Sequence, residues 1–251
     1  MRLTYTKSGH LFISPKDDCH KIVNAMLQTG YNEEFCVAWD FNPDFIARLM
    51  EAGFLVMSAN IAAEQQEPDY ILLPKLHLVR SALFFENLHI KKSIRRYLPL
   101  YELRPDSDFE LIVDRCVEKH GNAWLTPPLV EGIKKIREMA ISNYNIHFET
   151  TPEFSFNPGR STYPLSFALY NKDKLAAGEF GVICGGVYTS YSGFYDEKNA
   201  GTVQMILTAQ FLKKQNFTFF DLGMPLEYKN DLGAVDISPG EFVAIFHASQ
   251  F

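Results

Sequence analysis

The sequence predicts an α+β protein in two parts, a small mixed N-terminal domain over residues 1–105 and a larger domain over residues 106–251. Three observations carry this. Apolar spacing changes from helical to alternating near residue 145, and cap and turn signals divide the whole chain into short elements. A composition of 47% apolar and 22% charged residues is that of a globular chain. The length of 251 residues suits one large domain or two small ones, either able to bury a core.

In chain order, residues 1–16 read as a strand pair turning at Ser8-Gly9. Pro43 opens a helix through Phe45, Ile46, Leu49 and Met50 that Gly53 closes, the expected placing of Pro inside a helix start and Gly beyond its end. Phe54–Met57 reads as a short buried strand, and residues 62–69 as a polar loop. Ser107-Asp108-Phe109-Glu110 has the form of a capping box before a stripe of Phe109, Ile112, Val113, Cys116 and Val117. Thr126 precedes Pro127-Pro128 and a helix burying Leu129, Ile133, Ile136 and Ala140. IHFET (146–150), LSFALY (165–170), GEFGVICGG (178–186) and VYTSYSGFY (187–195) follow as strands, with a Pro-, Ser- and Thr-rich loop over 151–164. Asn199 caps a helix through Val203, Ile206, Leu207, Gln210 and Phe211, and FTFFDL (217–222) is a buried strand. Two helices, three antiparallel strands, a helix and a parallel strand form the order of the acetyltransferase-like (GNAT) fold. That likeness concerns fold and leaves function open.

With 24 Lys and Arg against 30 Asp and Glu, the formal charge is -6, which excludes a general polyanion coat. The segment from Lys75 to Arg96 reverses the balance: Lys75, Arg80, Lys91, Lys92, Arg95 and Arg96 stand against Glu86 alone. On a helix starting near His89, Ile90, Ile94 and Tyr97 share one face, while Lys91, Lys92, Arg95 and Arg96 gather opposite, either as a solvated face or as a polyanion contact. Cys19, Cys36, Cys116 and Cys184 form no CxxC pair and read as buried reduced thiols. The seven histidines are dispersed and suggest no metal site. With no secretory signal at the N-terminus and no apolar run of membrane-spanning length, the expected location is cytoplasmic.

Several segments resemble the leucyl/phenylalanyl-tRNA–protein transferases, in which an amino acid passes from charged tRNA to the N-terminus of a protein. The likeness lies in Asp40-Phe41-Asn42-Pro43 through Gly53-Phe54, in Leu88-His89-Ile90 with the following Lys91-Lys92-Ser93-Ile94-Arg95-Arg96, and in Ala123-Trp124-Leu125-Thr126. It continues in Gly181-Val182, Gly185, Ser192-Gly193-Phe194 and Asn199-Ala200, then in Phe220-Asp221-Leu222-Gly223 and Leu232-Gly233-Ala234. Departures fall at the family's reaction centre. Tyr191 stands for a Glu, Gly223 for a Gln and Trp39 for a glycine; Pro74-Lys75 lies near the place where the family carries a tandem Trp before its Arg, and residues 151–168 look inserted.

The resemblance implies aminolysis of an activated ester, which needs no metal and no nucleotide cofactor. The site must align the reactants, help remove a proton from the amine and stabilise the oxyanion. It places Asp221 and Tyr191 in the catalytic centre, where the bland reading of Asp221 is a turn cap. Trp124, Phe194, Ser192, Phe180 and Gly223 would form the substrate pocket for an apolar, Leu- or Phe-like amino acid. Arg80, Lys91, Lys92, Arg95 and Arg96 would bind tRNA phosphates. The acceptor would be a protein or peptide beginning with Arg or Lys, met by Asp221 and by Glu197 or Glu227, and marked for N-end-rule degradation by a monomeric enzyme. Two alternatives stand beside this. One is a non-catalytic paralogue that binds tRNA or N-terminal degradation signals. The other is a CoA-dependent N-acetyltransferase, although KNAGTVQ lacks the Gly-rich pyrophosphate loop that chemistry wants.

Overall fold

The computed structural model describes residues 3–63, 66–144 and 162–250. β1 (Thr4–Tyr5) and β2 (Leu11–Phe12) pair antiparallel across a turn where Gly9 takes φ of +88°. α1 (Cys19–Thr29) begins where the Asp18 carboxylate accepts the Lys21 N–H, ends at a left-handed Gly30, and buries Cys19, Ile22, Val23 and Met26. α2 (Pro43–Glu51) starts with the Asn42 side chain accepting the Asp44 N–H and buries Phe45, Ile46, Leu49 and Met50, as its spacing requires. β3 (Leu55–Asn60) and β4 (Tyr70–Lys75) form an antiparallel pair. β5 (Arg80–Leu83), the single turn α3 (Lys92–Arg95) and β6 (Glu102–Pro105) follow.

The chain continues through α4 (Phe109–His120), α5 (Pro127–Tyr144), β7 (Tyr163–Asn171), β8 (Lys174–Cys184) and β9 (Val187–Tyr195). It ends with α6 (Ala200–Lys214), β10 (Phe219–Gly223), α7 (Glu227–Asp231), β11 (Val235–Ile237) and α8 (Pro239–Ala248). A seven-stranded sheet runs in the order β11-β5-β10-β9-β8-β7-β6; β10 lies parallel to β9 and the other neighbours are antiparallel. From α4 to β10 this is the acetyltransferase-like order. One face packs Phe180, Val182 and Phe219 against α2, α4, α5 and α8; the other packs Phe167, Tyr188 and Phe220 against α6.

Four expectations are corrected. The sheet crosses the boundary expected at residue 105, because β5 and β6 belong to it. The basic helix shrinks to one turn, since Pro99 cannot continue it and residues 98–100 tighten into a 3-10 turn. Asp108, not Ser107, precedes α4, in a left-handed conformation and without a side-chain cap; its carboxylate instead accepts from Ser107 Oγ and Tyr170 Oη. Within the expected insertion 151–168, residues from Tyr163 onward are an inner strand paired with β8 and β6, while 151–161 and the expected strand at 146–150 lie outside the described residues. A true capping box occurs at α8, where Ser238 and Glu241 bond reciprocally.

Candidate active site

The site begins where β9 and β10 part. Their pairing runs from Val187–Phe219 to Thr189–Asp221 and goes no further, while β9 itself continues to Tyr195. Both strands are irregular just there, β9 skipping Tyr191 in its register with β8 and β10 shifting between Asp221 and Gly223 against β5.

Asp221 is fully buried, and its carboxylate is saturated. Arg80 donates Nε to Oδ1 at 2.9 Å and Nη2 to Oδ2 at 2.5 Å, Thr189 Oγ1 donates to Oδ2 at 2.8 Å, and the Gly223 N–H donates to Oδ1 at 3.0 Å. Burial pushes the carboxyl upward, but the Arg80 charge and these donors overcome it and hold the group below the ordinary carboxylate range. Such an anion is a poor proton acceptor and a good anchor. Arg80 is 1% exposed, with its guanidinium 4.2 Å from the Phe242 ring, so it lies in the interior and not in the expected phosphate-binding patch. Its position on β5 explains this. Arg80 and Ala82 project to the same face as Asp221, which pairs with Ala82 across the strands.

Gly223 takes φ of +71°, a conformation the bend after Asp221 demands and which side chains rarely adopt. A Cβ built there would meet Leu55 at 3.7 Å and His77 Nε2 at 3.9 Å, so the space is open and the backbone is the constraint. His77 is buried with Nε2 unpartnered, and burial, followed by the Arg80 charge, pushes it down to about 3, leaving a neutral ring facing Gly223. Tyr191 is partly buried beside this group. Its hydroxyl accepts the Val56 N–H at 3.0 Å, and burial raises its ionisation above the ordinary tyrosine value.

The expected pocket residues divide. Phe180 is fully buried and Phe194 is 3% exposed beneath the Arg115 guanidinium, so both are core and not open walls. Ser192 lies opposite Phe180 in the β8–β9 register. Trp124 is partly buried, and its carbonyl accepts both the N–H and the hydroxyl of Ser58, tying the start of α5 to β3. Glu197 is held by Tyr101, Asn171 and Lys174, and Glu227 opens α7; neither hydrogen-bonds to the Asp221 group.

Lys91, Lys92, Arg95 and Arg96 are all exposed. Lys91 pairs with Asp231 at 2.6 Å, and Arg96 lies over Tyr97. The segment is clamped from behind: His89 N–H donates to Leu232 O at 2.9 Å, and a Cβ on Gly233 would fall 1.9 Å from Asn87 O. Only glycine permits that approach, which gives the Leu232-Gly233-Ala234 motif a physical reason.

Two further buried ionisable groups, Glu179 and Lys229, carry no local sequence signal. Glu179, on β8, is 4% exposed, and burial pushes it up to about 7. Lys229, on α7, is buried and pushed down to about 8, donating to Leu222 O at 2.5 Å and Met224 O at 2.8 Å. Among the described residues no cluster of His, Cys, Asp or Glu could hold a metal ion, and no helix is long and apolar enough to cross a membrane. All four cysteines are buried.

Residues 156–247 match the family model described as leucyl/phenylalanyl-tRNA protein transferase. Curated proteins of that name are similar over most of the chain. The one from Campylobacter lari is 26% identical over 208 residues, 82% of this chain and 85% of its own. The one from Campylobacter jejuni (strain RM1221) is 26% identical over 213 residues, 81% and 83% of the two chains. Among solved structures, L-PGS from Bacillus licheniformis aligns over 100% of this chain and 89% of its own with 12% identity and a TM-score of 0.39, too loose a likeness to argue from. On the sequence relationships and the motifs together, the chain is similar to the leucyl/phenylalanyl-tRNA–protein transferases, at about a quarter identity over most of its length.

Proposed function

We propose that this protein is an aminoacyltransferase that passes an amino acid from charged tRNA to the N-terminal amine of a protein or peptide. The observation that carries the reading is the coincidence of place. The stretch matching the family model contains the parting of β9 and β10, and the buried Asp221 anion stands at that point. The donor ester is already activated, so the chain must align two reactants and support the oxyanion.

In this reading Asp221 is a positioning residue. It fixes Thr189 and the Gly223 bend and stays ionised, while the proton lost by the attacking amine passes to the tRNA 3′ oxygen as its ester bond breaks. The neutral His77 ring, with Nε2 free beside Gly223, is the polar group best placed to hydrogen-bond a reactant there. Lys92, Arg95 and Arg96, with Lys91 after release from Asp231, contact tRNA phosphates. The preferred acceptor begins with Arg or Lys, the donor residue is Leu- or Phe-like, the enzyme is monomeric and cytoplasmic, and the product enters N-end-rule degradation.

The test is direct. Purified protein is mixed with tRNAs charged with each labelled amino acid and with peptides beginning with Arg, Lys or Ala. Label transferred to the Arg or Lys peptide supports the reading. Tight binding of charged tRNA with no transfer to any peptide would sink it in favour of a non-catalytic paralogue, which the saturation of Asp221 and the Gly at 223 favour.

A further inference from the structure

α7 has five residues, and among them only Lys229 is buried. Its neighbours Leu226 and Tyr228 stay exposed, so this short helix turns a cation inward and apolar side chains out. Burying a lysine is costly unless its N–H groups find partners. Here the ammonium donates to Leu222 O at 2.5 Å and to Met224 O at 2.8 Å, the carbonyls on either side of Gly223. With its value lowered to about 8, the group is still an ammonium at neutral pH. α7 is itself anchored at its far end. Lys91 pairs with Asp231, the His89 N–H donates to Leu232 O, and Gly233 packs closely on Asn87. The lysine therefore reaches the bend from a fixed element.

The peptide between Leu222 and Gly223 is gripped at both ends by opposite charges. Its carbonyl accepts from the Lys229 ammonium, and its N–H donates to the Asp221 carboxylate at 3.0 Å. Gly223, at φ of +71°, has no Cβ to keep that peptide from turning over. A flip would set the carbonyl against the Asp221 anion and the N–H against the ammonium. Both contacts would be repulsive, and burial strengthens them. Asp221 and Lys229 together thus select one of two orientations that the glycine leaves sterically open.

We propose that Lys229 is a positioning residue, which with Asp221 locks the Leu222–Gly223 peptide in one orientation where β9 and β10 part. The inference rests on the aminoacyltransferase reading, which supplies the reaction that needs the bend fixed. In this role Lys229 touches no reactant. It acts through the backbone, because aligning two substrates beside the bend requires a bend that does not turn over.

Two variants of the full chain test this. Lys229→Met keeps the length of the side chain and removes its donors and charge, whereas Lys229→Gln keeps two N–H donors without the charge. In the peptide transfer assay, Lys229→Met should lose about tenfold or more in kcat, the worth of a charge-assisted hydrogen bond, with KM for both substrates nearly unchanged. Lys229→Gln should fall between Lys229→Met and the parent. NMR of protein carrying isotope-labelled glycine gives a readout apart from activity. The Gly223 amide proton, bonded to a carboxylate, should resonate downfield in the parent. It should move upfield or broaden in Lys229→Met as the flipped peptide becomes populated. If Lys229→Met fails to fold, Lys229→Gln carries the same two readouts, with smaller changes in the same directions. An unchanged kcat in a folded variant, or a Gly223 amide that does not move, overturns the proposal. A parent that transfers nothing defeats the transferase reading alone; the Gly223 amide then decides whether Lys229 locks the peptide, so the two failures are distinct.

Discussion

Arg80–Asp221 and Glu179 sit on opposite faces of the same sheet and handle buried charge in opposite ways. The first is closed: two N–H groups of one guanidinium, a hydroxyl and a backbone N–H satisfy both Asp221 oxygens. The second is open, with one bond from Ser190 and a bare Oε1. A closed anion is pushed below its ordinary ionisation range and an open one above it, although both are buried. Burial therefore does not reveal a role; the completeness of the shell does. The closed pair organises the chain, and the second carboxyl, without a cation, is driven toward its protonated form by burial.

The largest test of that contrast is Asp221→Asn, which strands Arg80 as a buried cation. Unfolding in urea should register a loss of about 3–5 kcal/mol, and replacing both partners with Met and Leu should recover much of it. A cost under about 1 kcal/mol would mean that the pair organises nothing.

Next comes pH. The Glu179 value is raised from 4.5 to about 7 in the folded protein, so its protonation stabilises the fold fully below the unfolded value, and that gain is lost as pH rises through about 7. The span amounts to about 3 kcal/mol at most. Asp221 has the opposite sign: its contribution is present above the ordinary 3.8 and is lost as pH falls through its depressed value. Stability curves of the parent and Glu179→Gln should therefore diverge between about pH 5 and 8 and share an acid limb. Identical curves across the neutral range would erase the distinction between the two anions.

Tyr191→Phe should cost about 1–2 kcal/mol by stranding the buried Val56 N–H. If transfer falls by more than that stability loss explains, measured as kcat against KM on folded protein, Tyr191 also serves the chemistry; unchanged kcat confines it to holding β3 against β9. The smallest effect is expected from Lys92→Ala with Arg95→Ala. tRNA affinity should weaken modestly, and the slope of log affinity against log salt should drop by about 1.5. An unaltered slope removes the basic segment from the interface.

Elements with strong local signals were legible in the sequence. The β9 pattern ends where the alternation does, and α2 follows from Asn42, Pro43 and Gly53. α1 has equally clear caps in Asp18 and Gly30. β5 is different. Nothing in Val79-Arg80-Ser81 distinguishes a buried arginine from a surface one, because its partner is 141 residues away. Local charge alone groups Arg80 with Lys91 and Arg96, whose charges do face solvent. The Ser107 capping box failed because Ser107 and Tyr170 draw the Asp108 carboxylate aside, a tertiary effect that no four-residue window contains. Glu179 was invisible for the same reason. In sequence it is one polar residue among the glycines of a strand, and only the neighbouring strand and α6 make it a lone anion.

The insertion of β5 between β10 and β11 has a consequence for how the molecule assembles. Residues 156–247, the stretch a family model recognises, hold Asp221 but lack the strand that neutralises it. Contacts of such sequence separation form late, because closing a long loop costs chain entropy before any contact repays it. During synthesis the arginine emerges well before its carboxylate and must wait for it. Docking of 80–83 against β10 is then the event that commits the polypeptide, and a fragment begun after residue 105 would be expected to stay unfinished at that edge, open to addition of a foreign strand.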